Sequence, residues 1–131
     1  MAEITPRSLV VIIENDAQLA NALALLVHDW GYEAVPAGSV TVAVRALGPR
    51  MNDVCAIIAD YQLDDGFTGI KSATAIAKAI GRSIPTIVTT GHAVLAEHAD
   101  VFPVLSKPFD PGILHRWLDD HVNRAALPLT A

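Results

Sequence analysis

The sequence predicts a single α/β domain, a five-stranded parallel sheet in the order 2-1-3-4-5 with helices on both faces. Three observations predict it. Short apolar, β-branched runs alternate with segments of helical periodicity five times along the chain. The 131 residues are 52% hydrophobic and 18% charged, enough for one buried core and too apolar for disorder. Polar residues stand directly after four of the five apolar runs. In an open parallel sheet these positions share one rim.

The elements follow in order. Leu9-Val10-Val11-Ile12-Ile13 is a continuous apolar run suited to a strand covered on both faces. Leu19, Leu23, Leu26, Val27 and Trp30 then recur at helical spacing, with Asp16 placed to cap and Gly31 to end the helix. Tyr32 to Val35 reads as a short second strand. Ser39 caps a helix over Val40–Leu47, closed by Gly48-Pro49. Val54 to Ala59 is the third strand and runs into Asp60. After a loop with Asp64, Asp65 and Gly66, a helix over Ile70–Ile80 aligns Ala73, Ile76, Ala77 and Ile80. Pro85–Thr89 is strand four, and Phe102–Leu105 is strand five. Asp110 caps a last helix through Val122, with Pro111 in the first turn, where a missing N–H costs nothing. The domain spans 8–124, with tails at 1–7 and 125–131.

The lone cysteine, Cys55, excludes an internal disulfide and lies in an apolar run, where a small buried filler is expected. A formal net charge of −5 argues against a nucleic-acid-binding surface. No apolar stretch is long enough to span a bilayer, and the first residues lack a signal-peptide pattern. The expectation is a cytoplasmic protein that contacts neither membrane nor nucleic acid directly. The five histidines show no zinc-site spacing and read as surface or helix-face residues. Trp30 and Trp117 read as anchors of their helices. No Walker pattern, glycine-rich phosphate loop or nucleophile elbow is present.

The rim collects Glu14 and Asn15 after strand one, Asp60 after strand three, Thr90 after strand four and Lys107 after strand five. Acids, a hydroxyl and an ammonium around one carboxylate suit transfer of a phosphoryl group to that carboxylate. Asp60 is the expected nucleophile. Mg²⁺, an oxygen-seeking ion, is the expected cofactor, ringed by Glu14, Asn15, Asp60 and the carbonyl of Gln62. Lys107 would neutralise phosphoryl oxygens as a point charge, and Thr90 would hydrogen-bond one of them. Asn15 serves equally well as a helix cap, Tyr61 as a gate or a packing residue. Asp64 and Asp65 read as solvated loop acids.

Four segments together carry a family resemblance: Val11-Ile12-Ile13-Glu14-Asn15-Asp16, Ile58-Ala59-Asp60-Tyr61-Gln62-Leu63, Pro85-Thr86-Ile87-Val88-Thr89-Thr90-Gly91 and Leu105-Ser106-Lys107-Pro108-Phe109. In this order the chain resembles the response-regulator receiver domains of two-component signalling. That resemblance implies a flavodoxin-like (βα)5 fold and Asp60 as phosphoacceptor. It implies Thr90 as switch hydroxyl and Lys107 as phosphate-side lysine with a cis bond to Pro108. It implies a sensor histidine kinase or histidine-phosphotransfer protein as partner, a monomer or weak dimer, and a switch rather than an enzyme. The stretch Asp60 to Gly66 with Thr68-Gly69 looks most like receivers fused to hybrid sensor histidine kinases.

The chain departs from the family pattern at three places. Asn15 stands where a coordinating acid is usual, so the pocket has one carboxylate fewer and weaker Mg²⁺ binding is expected; Asp16 or Asp64 could compensate. Val104 stands where an aromatic switch residue is usual. The span from Thr90 to Lys107 is short, which shortens helix four over Gly91–Asp100. The alternative reading is a pseudo-receiver, a constitutive protein-interaction module.

Overall fold

A computed structural model describes residues 9–62, 68–91 and 102–123 of the chain. The sheet has five parallel strands in the order β2-β1-β3-β4-β5: β1 (Leu9–Ile13), β2 (Glu33–Ala37), β3 (Val54–Asp60), β4 (Thr86–Thr90) and β5 (Val104–Ser106). Among the described residues the α-helices are α1 (Ala17–Asp29), α2 (Val40–Leu47), α3 (Gly69–Ile80) and α4 (Pro111–Leu118). The expected flavodoxin-like topology is therefore observed. The shortened helix expected over Gly91–Asp100 lies, from residue 92 onward, outside the described residues, as do the tails. No described helix is long and apolar enough to cross a membrane.

The all-apolar reading of β1 holds because alternate side chains feed two cores. Leu9, Val11 and Ile13 join Ala43, Leu47, Ala73 and Ile76 on the α2–α3 face. Val10 and Ile12 join Leu23, Val27, Leu114 and Leu118 on the α1–α4 face. Every residue of β1 and β3 is buried. At roughly 1.5–3 kcal/mol per large apolar side chain, this two-sided burial is the main force holding the sheet.

The caps match their residue types. Asp16 accepts from the amides of Gln18 and Leu19, Ser39 from Val42, and Asp110 from Gly112. Gly81 ends α3 in the left-handed region at φ 90°. β3 carries an irregularity against β1, where Leu9 pairs with Val54 but Val10 with Ala56. Cys55 fills it, its thiol donating to the Leu9 carbonyl at 3.2 Å. Burial pushes that thiol up to about 12, so it is inert filler.

Several edges fall elsewhere than expected: β4 is Thr86–Thr90 rather than Pro85–Thr89, β3 runs one residue further, to Asp60, and α3 starts one residue earlier, at Gly69. β2 starts and ends two residues or fewer later, over Glu33–Ala37, and tolerates Pro36 because it is an edge strand. β5 is Val104–Ser106 rather than Phe102–Leu105, since Pro103 has no N–H for a ladder and Phe102 packs against the α2–α3 core. The last α-helix stops at Leu118 and widens into a π-turn over Asp119–Asn123. There Asp119 accepts from the Tyr32 hydroxyl and pairs with His115 at 3.4 Å, while His115 stacks on Trp30 with centroids 4.5 Å apart. These contacts tie α4 to α1 and β2, making Trp30 an anchor as expected. Trp117 packs against the α1–α4 core and stacks on His121.

Candidate functional site

Parallel strands with right-handed crossovers bring all strand C-termini to one edge. β1 delivers Glu14, whose amide extends the ladder by donating to the Ala37 carbonyl at 2.9 Å. β3 ends on Asp60. The next amide, Tyr61, donates to the Thr89 carbonyl at 2.7 Å and fixes where Asp60 leaves the sheet. β4 ends on Thr90, whose carbonyl accepts from the Lys107 amide at 2.7 Å. Lys107 follows β5 and joins Pro108 through a cis bond, as the resemblance implied.

Three of the predicted side chains converge. Lys107 Nζ lies 2.9 Å from Glu14 Oε1 and 3.5 Å from Asp60 Oδ2. Glu14 is buried at 3% exposure, whereas the Asp60 side chain keeps 11%, a narrow opening to solvent. Thr90 is buried one strand from Asp60 and is bonded through its backbone to Lys107. Asn15 is exposed and lines a cavity of about 150 Å³ with Glu14, Asn21, Pro36 and Gly38, a lining that does not include Asp60. Gln62 is exposed and pairs with Thr68 in an isolated antiparallel bridge. Tyr61 is 4% exposed, which favours packing over gating. Asp64 and Asp65 lie outside the described residues, as do His92 and His98 of the five histidines.

Burial raises the Glu14 carboxyl above its ordinary range; hydrogen bonds from Lys107 and the Asp16 amide offset part of this, and repulsion from Asp60 adds to it. Burial alone would lower Lys107. Its bond to Glu14 and the charges of Glu14 and Asp60 outweigh that, so it is held charged, above its ordinary value. Two carboxylates thus share one firmly protonated amine.

Two structural supports lay outside the sequence reading. The Asp16 amide donates to Glu14 Oε2 at 3.1 Å, so the residue that caps α1 also orients the buried acid. Its capping position was the available signal. Gly69, at the start of α3, presses on the end of β3: a Cβ there would lie 2.3 Å from the Asp60 carbonyl oxygen. Its amide donates to the Tyr61 carbonyl at 3.0 Å, and Thr68 caps the helix through Lys71.

The donor chemistry decides how well a divalent cation fits. Asp60, Asn15 and the Gln62 carbonyl are hard oxygen donors of the kind Mg²⁺ takes. Among the described residues, no group of three or more His, Cys, Asp or Glu could hold a metal ion. The residues fit Mg²⁺ in kind and fall short in charge.

Comparison with known proteins agrees with this fold. No protein-family model matches the sequence. The chain is 29% identical over 122 residues to the transcriptional regulatory protein GlrR of Escherichia coli K12, and equally to QseF of Escherichia coli O157:H7. These matches cover 89% of the chain but 27% of each regulator, so the chain spans about a quarter of the relatives' length. Among solved structures, a response regulator receiver domain protein from Clostridium thermocellum superposes with TM-score 0.74 at 23% identity, covering 89% of this chain and 95% of that one. The receiver domain of Erythrobacter litoralis PhyR gives TM-score 0.72 at 22% identity, covering 93% and 95%. The receiver domain of a Luxo repressor protein from Vibrio parahaemolyticus gives 0.74 at 20% identity, covering 93% of each. The fold of this chain is the fold of response-regulator receiver domains.

Proposed function

We propose that the chain is a phosphoacceptor receiver domain that takes a phosphoryl group on Asp60 from a histidine kinase or histidine-phosphotransfer protein. The observation that carries this reading is Asp60 at the open edge of a receiver-type sheet, with Lys107 Nζ 3.5 Å from its carboxylate. In the transfer, an Asp60 carboxylate oxygen forms a bond to phosphorus as the donor's P–N bond breaks. The electron pair leaves with the imidazole nitrogen, which takes up a proton. Lys107 meets the charge on the phosphoryl oxygens, and Thr90 supplies a hydroxyl donor from the end of β4. Bound Mg²⁺ would supply charge that offsets repulsion between carboxylate and phosphoryl oxygens; Asp60, Asn15 and the Gln62 carbonyl are the oxygens to hold it, with Glu14 alongside. The modification adds roughly 1.5 to 2 negative charges at the strand edge, and the response to that charge is the output.

The match to transcriptional regulators and the likeness of Asp60–Gly69 to hybrid-kinase receivers both support a place within a longer phosphorelay protein. In this reading the domain works in the cytoplasm as a switch, as a monomer or weak dimer, without touching nucleic acid or membrane. Incubation with Mg²⁺ and acetyl phosphate is expected to add one phosphoryl mass to the chain and none to Asp60→Asn. An unmodified wild-type chain at saturating Mg²⁺ would end the proposal.

A pseudo-receiver is the second reading, favoured by neutral Asn15 at the rim and by Val104, half-buried in β5 where no ring can rotate. Asn15→Asp probes the charge deficit on which this second reading rests. A restored carboxylate is expected to raise Mg²⁺ affinity about tenfold or more by calorimetry. No gain would discredit the charge-deficit argument. A pseudo-receiver also predicts partner binding unchanged in Asp60→Ala.

A further inference from the structure

Each oxygen of the Glu14 carboxylate already accepts one hydrogen bond. Oε1 accepts from Lys107 at 2.9 Å, and Oε2 accepts from the Asp16 amide at 3.1 Å. The residue is 3% exposed, and its backbone is tied to Ala37. A Mg²⁺ ion at its usual distance of about 2.1 Å from Oε1 would sit against the Lys107 ammonium, where like charges repel. A carboxylate in that state is poorly available to a cation and well placed to hold an amine. Lys107, in turn, is a point charge on a flexible stem, and its other carboxylate, Asp60, lies farther off at 3.5 Å. We propose that Glu14 is a positioning residue that holds Lys107 beside Asp60, rather than a ligand of the divalent cation.

The proposal rests on the phosphoacceptor reading and deepens it. Glu14 stores the ammonium next to the acceptor carboxylate, and an incoming phosphoryl group draws it across. The cation is left to Asp60 and neutral oxygens, so the charge deficit at Asn15 is larger than a count of acids suggests.

Two affinities are measured for wild type, Glu14→Gln, Lys107→Ala and the double variant. Free Mn²⁺ is counted by electron paramagnetic resonance, and beryllofluoride binding is read by calorimetry at saturating Mg²⁺. In Glu14→Gln, Mn²⁺ affinity is expected to fall less than about tenfold, the loss typical of a removed ligand or its support. Beryllofluoride affinity is expected to fall about tenfold or more, and that fall is expected to vanish when Lys107→Ala is already present. A larger Mn²⁺ loss, or additive losses in the double variant, overturns the proposal. Wild-type protein that takes no beryllofluoride overturns the phosphoacceptor reading itself, and this inference with it. Should Glu14→Gln not fold, the ¹⁵N signal of the Lys107 ammonium in wild type decides. Proton exchange that stays slow at saturating Mg²⁺ supports the pairing, and collapse of the signal on adding Mg²⁺ overturns it.

Discussion

Gly69→Ala is expected to destabilise the protein by about 3 kcal/mol, the cost of forcing atoms into a packed backbone. The added methyl would stand 2.3 Å from the Asp60 carbonyl oxygen and 2.9 Å from its carbon. Both are main-chain atoms of a buried strand, so no flexible side chain can yield. Either the N-terminus of α3 retreats, or the end of β3 moves and Asp60 moves with it. The Gly69-to-Tyr61 hydrogen bond and the Thr68 cap would be strained in either case. Gly38 and Gly91 are controls: each has open space where a Cβ would go and no left-handed φ, so alanine there is expected to change stability by about 0.5 kcal/mol or less. Urea unfolding of the three variants checks this. A Gly69→Ala midpoint equal to wild type would show that the close approach of α3 to β3 carries no weight.

The second large effect is expected in Lys107→Ala. Removing the amine leaves Glu14 and Asp60 facing each other without a counter-charge, both of them buried. Breaking a fully buried pair costs roughly 3–5 kcal/mol; the Lys107 side chain is 24% exposed, so water screens part of the interaction and about 1–3 kcal/mol at neutral pH is expected. The pH dependence has a definite sign. Glu14 already has its folded-state pKa above 4.5, and losing Lys107 raises it further. A raised carboxyl contributes stability that is present below its unfolded value and lost as pH rises through the folded value. The deficit of Lys107→Ala is therefore largest at neutral pH and closes as pH falls toward 4.5, where Glu14 takes a proton. Denaturant unfolding across pH 4 to 8, paired with a ¹³C titration of the Glu14 carboxyl, measures both. A deficit independent of pH would mean that the lysine stabilises through its stem rather than its charge.

Much of this architecture is written in local patterns. β1 falls on Leu9–Ile13 because five consecutive apolar, mostly β-branched residues suit a strand covered on both faces. Asp16, Ser39 and Asp110 cap the helices they precede, since each needs only its own side chain and the next few amides. The strand ends carry Glu14, Asp60, Thr90 and Lys107, and sheet topology alone was enough to gather them at one edge. Strand ends were harder to read because a ladder ends where its neighbour ends, and β5 could not be trimmed to Val104–Ser106 without its pairing to β4.

What the chain's own order of residues determined is the element sequence, the strand order and the identity of the rim. Tertiary structure alone decided the partners: Lys107 with Glu14 at closer range than Asp60, Gly69 against the Asp60 backbone, Cys55 in the β3 irregularity, and Asp119 between Tyr32 and His115. The reason is physical. Periodicity and capping depend on neighbours a few residues away, whereas most of these contacts join different elements, at separations of up to 93 positions for Lys107 and Glu14. Their distances are set by how two helix layers and a sheet pack together.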